Sequence, residues 1–474
     1  MGQFVHNEYT HRIFDEFENG KGHVFIQARA GTGKTTSLIE MLNHFYGNIN
    51  LYPEYMQNAL VCFIAFSNEV KKDLDKRVPQ GERAYYETQV NKIITNLIRN
   101  DFLDRVTDKD YEKAIEAVEA YAKRSDGRKG EAPTLIQETL KSLRSKDLDQ
   151  AEIFSQLVME DLSDVHVKTF HGLGYGILRA VYEKHGTLLH LDEDKYHKIV
   201  KDYIKTKVAS NDYIEVMAAL KTLANHSRLS LVDIHNEKLM RELAWLNDID
   251  LDKKRPDLMK SVLRWLPDIM TIGDNQARDN GTIDYTDMIY LPIKWELNAP
   301  TRYKLMFIDE AQDLSKVTRN LIVNQALDPK GRAFFIGDEN QSIFAWAGAD
   351  IRSVRDTINM TKAIELPLDV CYRCPTSHIS MAQKIVPAIK AHPEAKVGTI
   401  VLAEADMLTQ IVQPGDMVLC RNTAPLFQKA IECLRAKIPA RIRGRDLCEN
   451  MITILKKIEK VAESKHQYSY DRLD

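Results

Sequence analysis

One glycine-rich stretch of this sequence contains the residue types that bind phosphate groups. It covers residues 28–36 and reads Ala-Arg-Ala-Gly-Thr-Gly-Lys-Thr-Thr. An apolar run at residues 23–26 precedes it, and residues 37–42 continue with the apolar spacing of a helix. A strand, a glycine-rich loop and a helix in this order are the setting of a phosphate-binding loop. The usual pattern begins with glycine at the position of Ala28, and the alternative is an ordinary turn between strand and helix.

Each residue of the loop has a chemical reason to be there. Gly31 and Gly33 permit a tight turn that points backbone N–H groups at phosphate oxygens, and the start of the next helix adds to the attraction. Lys34 is expected to reach the β- and γ-phosphates, and the Thr35 hydroxyl to bind Mg²⁺. The predicted nucleotide-binding residues are Ala30, Gly31, Thr32, Gly33, Lys34, Thr35 and Thr36.

An acidic segment supplies the second part of the predicted chemistry. Residues 309–313, Asp-Glu-Ala-Gln-Asp, directly follow an apolar run at residues 303–308. Asp309 is suited to hold Mg²⁺ through water, and Glu310 to orient or deprotonate an attacking water. Alone, this segment is as consistent with a solvated turn. Together with the phosphate loop it predicts nucleotide hydrolysis.

Length and composition limit the kinds of protein this can be. The chain has 474 residues, 44% hydrophobic and 28% charged, which is typical of a globular protein with several domains. No apolar run approaches the roughly 20 residues that span a bilayer, and the N-terminus lacks a signal-peptide pattern, so we expect a cytoplasmic protein with no membrane partner. The net charge is −3. A nucleic-acid partner would therefore need a local basic groove.

The six cysteines are spread along the chain and predict no disulfide framework. Cys371 and Cys374 form the one Cys-x-x-Cys pair. Since no second pair stands at zinc-ligand spacing, a zinc or redox site there is disfavoured.

Strand-like and helix-like segments alternate along the chain, which predicts parallel α/β sheets. Runs typical of buried parallel strands occur at 59–66, 165–172, 303–308 and 332–336. Later runs at 363–366, 416–420 and 440–443 predict a second sheet. Two charged, helical stretches at 85–160 and 185–280 look like insertions.

The ordered set of motifs resembles a superfamily 1 DNA helicase of the UvrD/Rep/PcrA type. The decisive piece is the segment 337–344, Gly-Asp-Glu-Asn-Gln-Ser-Ile-Phe. The other matching pieces are residues 28–35, Phe66-Ser67-Asn68, Thr169-Phe170-His171, residues 283–287, residues 309–313, Cys371-Tyr372-Arg373-Cys374, residues 418–422 and residues 438–444.

The resemblance implies an α/β fold of two RecA-like P-loop NTPase domains with helical insertions, the second apparently incomplete. The implied segments are 1–84, 161–184 and 281–354 for the first ATPase domain, 85–160 for a helical insertion, 185–280 for an accessory DNA-binding insertion, and 355–474 for a partial second domain.

The resemblance also assigns roles near the phosphates. It implies that Gln341 senses the γ-phosphate and couples it to DNA, that Tyr372 stacks on the adenine, and that Arg373 is an arginine finger. A guanidinium at that place would stabilise the charge on the transferring phosphoryl group. With Lys34 and Glu310, Gln341 and Arg373 complete the predicted catalytic set.

Six residues fall where this family contacts single-stranded DNA. They are Phe66, Asn68, Thr169, His171, Phe344 and Trp346. Aromatic faces can hold successive bases without reading their sequence. Core packing is the alternative for Phe66 and Phe344, and a buried histidine is the alternative for His171, whereas stacking is favoured for Trp346.

The sequence departs from the family pattern in three places. Residues 9–14 lack the glutamine that recognises adenine, which leaves base selectivity open, and Ala347 stands where relatives often have arginine. The family's last two motifs, Thr-x-His-x-x-Lys-Gly-Leu-Glu and Thr-Arg-Ala, are absent. Asp284 and Asp287 are expected to be structural or DNA-channel residues rather than metal ligands.

The function implied is ATP-driven 3′-to-5′ movement on single-stranded DNA with strand separation. ATP and Mg²⁺ are the implied cofactors, and single-stranded DNA and its junctions with duplex are the implied partners, in the cytoplasm of a bacterial or phage-infected cell. A partner protein or a missing C-terminal segment is expected to complete the second domain. The alternative is a regulatory module that binds DNA and nucleotide but hydrolyses little.

Overall fold

A computed structural model describes most of the chain. The described residues are 7–48, 60–66, 70–72, 74, 86, 90–101, 106–124, 132–161, 165–184, 186–252, 255, 257–342, 352–420 and 422–442. They divide into two compact units, Met1–Val397 and Gly398–Asp474, which are treated separately below. No helix among these described ranges is both long enough and apolar enough to cross a membrane.

The first unit contains a six-stranded sheet in which every neighbouring pair is parallel. The strands of the unit are β1 Val24–Ala28, β2 Val61–Ala65, β3 Val165–Thr169, β4 His190–Leu191, β5 Thr282–Ile283, β6 Tyr303–Ile308, β7 Leu327–Gly337, β8 Ile364–Leu368, β9 Val370–Cys371 and β10 Lys390–Ala391. The sheet order is β3-β2-β6-β7-β1-β8, while β4 pairs with β5 and β9 with β10.

The strands at the centre of the large sheet, such as β2, are mostly apolar because both faces of the sheet are covered. Val24 and Ile26 point to one face and share a core with Phe17. Phe25 points to the opposite face and shares a core with Ile177. The alternation follows from the two-residue period of a strand. The edge strand β3 has a mixed sequence, Val-His-Val-Lys-Thr.

In the first unit, helices flank the sheet and form the two insertions. They are α1 Glu8–Asn19, α2 Lys34–Gly47, α3 Lys92–Asp101, α4 Asp108–Arg124, α5 Ala132–Arg144, α6 Leu148–Asp161, α7 Phe170–Lys184, α8 Lys195–Ile204, α9 Tyr213–Ser230, α10 Glu237–Leu246, α11 Leu258–Asn280, α12 Tyr285–Lys294, α13 Lys316–Asn320, α14 Ser353–Thr361 and α15 Thr376–Ala382. The helices of the second unit are α16 Leu408–Ile411 and α17 Thr423–Arg435.

The two helical stretches predicted from the sequence each have a core of their own. In the first, α3 to α6 enclose the rings of Tyr86 and Tyr121, whose centroids are 4.8 Å apart. In the second, α8 to α11 pack around residues such as Leu220 and Leu266. Their helical character is confirmed for the described residues, and the six-segment division of the chain stays a prediction.

A buried cluster of charges joins the second helical stretch to α12. Arg228 Nη1 lies 2.7 Å from carboxylate oxygens of both Asp284 and Asp287, and Lys195 Nζ lies 2.6 Å from Asp287. The guanidinium also covers the ring of Tyr196 at 3.9 Å. Burial raises the pKa of Asp287, and the two cations oppose that effect. Asp284 and Asp287 thus take part in a structural ion-pair cluster, which is one of the two roles expected of them.

The strand predicted at 363–366 does not begin a second sheet. It lies within β8, which pairs in parallel with β1 from Val24 opposite Ile364 to Ala28 opposite Leu368. The first sheet therefore has one strand more than the sequence predicted, because this segment pairs with the edge of β1 that β7 does not occupy.

The described residues of the second unit form α16 and α17 and contain no strand. The strands predicted at 416–420 and 440–443 are thus not present over 416–420 and 440–442, and Arg443 lies outside the described residues. Met417 and Leu419 are 72% and 82% exposed. A parallel strand needs neighbouring strands to pair its backbone groups, and these segments have none among the described residues. A second ATPase domain remains a prediction.

Candidate nucleotide-binding site

The glycine-rich loop connects β1 to α2 and has the backbone geometry that its glycines predict. Gly31 and Gly33 have φ angles of 73° and 85°, in the region where only glycine is unstrained. Thr32 closes the turn by donating its hydroxyl to the carbonyl of Arg29 at 2.8 Å. A side chain on Gly31 would also clash, because its Cβ would lie 2.8 Å from Cys371 Sγ.

Lys34 begins α2 and contacts the acidic segment that follows β6. Its Nζ lies 2.6 Å from Glu310 Oε2, and the two side chains are 11% and 38% exposed. Gln312 Nε2 donates to the same Glu310 oxygen at 2.8 Å. Parallel strands end at one edge of the sheet, which brings residues nearly 280 positions apart in the sequence into contact.

Thr35 and Asp309 form the second contact between the loop and the acidic segment. The Thr35 hydroxyl donates to Asp309 Oδ2 at 2.5 Å. Burial raises the pKa of Asp309, and the hydrogen bond from Thr35 opposes the rise. A hydroxyl and a buried carboxylate are the hard oxygen ligands that Mg²⁺ takes when nucleotide phosphates complete its coordination. These two residues therefore fit the implied metal.

Gln341 lies beside the same edge of the sheet, held by Asp338. Its Nε2 donates to Asp338 Oδ2 at 2.6 Å. The backbone N–H of Asp338 donates in turn to Gln312 Oε1 at 3.1 Å. Since Gln312 also contacts Glu310, hydrogen bonds run without interruption from Gln341 to the acidic pair.

Tyr372 and Arg373 lie against the glycine-rich loop. The Tyr372 N–H donates to the Gly31 carbonyl at 3.0 Å, and a Cβ on Gly31 would be 2.8 Å from Arg373 Cβ. The Tyr372 hydroxyl accepts a hydrogen bond from Asn7 Nδ2 at 2.8 Å, and its ring is 4.8 Å from that of His392. The Tyr372 side chain is 41% exposed, so one part of the ring is open to a stacking partner.

The profile of the UvrD/REP helicase N-terminal domain matches residues 13–361. This chain belongs to the UvrD/REP helicase family. Individual relatives are distant: DNA helicase II of Haemophilus influenzae is 28% identical over 85 residues, which are 18% of this chain and 12% of that protein. The ATP-dependent DNA helicase PcrA of Staphylococcus epidermidis is 22% identical over 241 residues, 48% of this chain and 30% of that protein.

PcrA of Staphylococcus aureus strain Mu50 gives a similar result, with 21% identity over 249 residues, 50% of this chain and 32% of that protein. The matched region thus spans less than a third of each relative. The profile match places this chain in the family, but the chain corresponds to only part of these relatives. Their activity is therefore proposed for it and not assigned.

In this UvrD/REP family chain, three of the predicted DNA contacts lie near the carboxyl ends of β2 and β3. Phe66 is 36% exposed, with its ring 6.4 Å from that of Phe170. Thr169 Oγ1 accepts from the Gly172 N–H at 3.0 Å. His171 packs edge-on against Tyr285 at 6.1 Å.

His171 is not the fully buried histidine that was one alternative, because part of its side chain is exposed. Desolvation by the surrounding protein nevertheless lowers its pKa, and the charge of Asp284 opposes that effect. A neutral imidazole suits stacking or hydrogen bonding better than ion pairing. Asn68, Phe344 and Trp346 lie outside the described residues, so their DNA roles stay predictions.

Sequence reasoning missed Arg29 and Gln312 at the site of this UvrD/REP family chain. Gln312 joins Glu310 to Asp338, and it could have been noticed as the polar residue two positions beyond the acidic pair. Arg29 could have been noticed as a charged residue inside a glycine-rich loop. No group of three or more His, Cys, Asp or Glu suited to a metal occurs among the described residues, Cys371 and Cys374 included.

Proposed function

We propose that this chain is an ATP-dependent DNA helicase or translocase that moves 3′ to 5′ on single-stranded DNA and couples Mg-ATP hydrolysis to strand separation. One observation carries the proposal: two contacts of 2.6 Å and 2.5 Å join the phosphate loop to the acidic pair at one edge of a parallel sheet. Phosphoryl transfer uses a cation, a metal-binding carboxylate and a water-orienting carboxylate gathered at one place, and these contacts bring the three together. The relatives named as DNA helicases support the choice of DNA as partner.

The residues divide the work of hydrolysis between them. Lys34 and Arg373 place positive charge beside the phosphoryl group, and Glu310 orients the attacking water and accepts its proton. Gln341 senses the γ-phosphate. Thr35 and Asp309 would hold Mg²⁺, which would supply positive charge to offset that of the phosphate oxygens.

Single-stranded DNA is proposed to bind near the ends of β2 and β3. Phe66 and His171 offer partly exposed rings there, and Thr169 stands at the end of β3. Rings of this kind support sequence-tolerant binding of about 1–3 kcal/mol per base. Residues 185–280 are proposed as an accessory DNA-binding subdomain that meets the junction with duplex.

A second candidate is a DNA- and nucleotide-binding module that hydrolyses little ATP. The observation in its favour is that the described residues after Val397 contain a few helices and no strand. An ATPase that closes between two RecA-like domains would need a second sheet, supplied by a partner or a further segment.

The first experiment measures Mg²⁺-dependent ATP hydrolysis with and without single-stranded DNA. We expect stimulation by DNA, and loss of hydrolysis in Glu310→Gln with nucleotide binding retained. Glu116→Gln, at an exposed position of α4, is the matched control and should behave as wild type. Retained binding without hydrolysis in the wild type would favour the second candidate. Unwinding of a duplex with a 3′ single-stranded tail then tests direction.

A further inference from the structure

Arg29 is fixed at the start of the glycine-rich loop by its own backbone. Its N–H donates to the Leu368 carbonyl at the end of β8 at 3.0 Å. Its carbonyl accepts the Thr32 hydroxyl at 2.8 Å. The residue therefore stands where the loop, β1 and β8 meet.

The Arg29 side chain lies between two carboxylates from different parts of the site. Nη1 is 3.5 Å from Asp338 Oδ1, and Nε is 3.5 Å from Asp369 Oδ1. The three side chains are 14%, 3% and 12% exposed, so solvent and salt screen these contacts only weakly. A planar guanidinium can face two carboxylates at once, which the point charge of lysine does less well.

Each carboxylate leads to a residue with a proposed role at the nucleotide. Asp338 accepts the hydrogen bond from Gln341 at 2.6 Å. Asp369 immediately precedes β9, the short strand that leads into Tyr372 and Arg373. Arg29 thus connects the phosphate loop to both the γ-phosphate sensor and the base-stacking segment.

We propose that Arg29 is a positioning residue that holds Gln341 and the Tyr372–Arg373 segment in place relative to the phosphate loop. The inference rests on the proposed function. The guanidinium acts through Asp338 and Asp369. Without it, the two carboxylates would face each other with no cation between them and would repel.

The test compares Arg29→Gln with the double variant Arg29→Gln/Asp369→Asn. In Arg29→Gln we expect kcat with single-stranded DNA to fall about tenfold and KM for ATP to rise about fivefold. In the double variant, KM should return toward the wild-type value while kcat stays low, since only the repulsion at Asp369 has been removed. Arg99→Gln, at an exposed position of α3, is the matched control.

Recovery of KM without recovery of kcat in the double variant distinguishes a loss of positioning from a general loss of stability. If Arg29→Gln merely destabilised the fold, the second substitution would not restore KM alone. Unchanged kcat and KM in Arg29→Gln, or no recovery of KM in the double variant, would overturn the inference. If the wild type and Arg99→Gln hydrolyse no ATP, the proposed function fails instead. In that case the Kd of a fluorescent ATP analogue tests the inference. Weaker binding by Arg29→Gln, with recovery in the double variant, supports it. Equal Kd values for the wild type and Arg29→Gln contradict it.

Discussion

The ammonium of Lys34 lies 2.6 Å from the carboxylate of Glu310. The residue proposed to bind phosphate is thus paired with the residue proposed to activate water. A triphosphate in the loop would compete for Lys34 and release the carboxylate. Gln312 still donates to the same Glu310 oxygen, at 2.8 Å, and would keep the side chain oriented. The ion pair would therefore couple nucleotide binding to the release of the Glu310 carboxylate.

Asp309→Asn should raise the Mg²⁺ concentration needed for half-maximal ATP hydrolysis by about tenfold or more, because a neutral amide is a poorer ligand for a hard cation than a carboxylate. Thr35→Val should act in the same direction by removing the hydroxyl. A Mg²⁺ titration of ATPase activity measures the effect, with Asp202→Asn on the surface of α8 as control. An unchanged Mg²⁺ requirement in both variants would argue against this metal site.

Asp313 should make the fold less stable as the pH rises from about 4 to 6. Burial, with the neighbouring charge of Glu310, raises the pKa of Asp313 from 3.8 to about 6. In that window the folded state holds more protons than the unfolded state, so stability falls with rising pH. Asp313→Asn removes this loss of stability. It should raise Tm at pH 7.5, but not at pH values below the pKa that Asp313 has in the unfolded state. A constant Tm difference across a pH series of melts would contradict the assignment.

Arg228→Met should destabilise the first unit by about 3–5 kcal/mol, because it leaves Asp284 without its cation and the buried Asp287 with Lys195 alone. Arg241→Met removes an arginine that is 42% exposed and paired at the surface, and it should cost less than about 1 kcal/mol. Urea denaturation measures both. Equal losses in the two variants would show that the buried cluster contributes no more than a surface pair.

Tyr372→Ala should raise KM for ATP about tenfold, whereas Tyr372→Phe should change it less than about threefold, because phenylalanine keeps the aromatic face. The phenylalanine variant loses only the hydrogen bond with Asn7. Steady-state kinetics with ATP and GTP would check the effect and show whether stacking alone selects the base. A larger defect in Tyr372→Phe than in Tyr372→Ala would exclude stacking as the main contribution.

The sequence predicted the phosphate loop and the strands of the first sheet well, because local signals determine both. Glycines at 31 and 33 are required by their positive φ angles, and the mostly apolar central strands are favoured by a sheet covered on both faces. The proximity of Lys34 and Glu310 could also be inferred from the sequence, because the strands that precede them are parallel and end at the same edge of the sheet.

Other features could not be predicted because they depend on pairing between distant segments. Nothing local to residues 364–368 says that they will lie beside β1 rather than begin another sheet. Arg228 and Lys195 belong to helices without a motif, and their importance appears only when α12 brings two aspartates to them. Whether an apolar run such as 416–420 becomes a strand depends on neighbours that the run itself does not encode.

The position of β1 within the sheet has a consequence for biosynthesis. Both of its neighbours, β7 and β8, begin about 300 residues or more further along the chain. At a ribosomal rate of about 5–20 residues per second, β1 waits roughly 15–60 s for them. During that time the helical insertions can form from local contacts, while the backbone groups on both edges of β1 remain without their strand partners. The strand before the glycine-rich loop is thus synthesised early, and its pairing in the sheet is completed late.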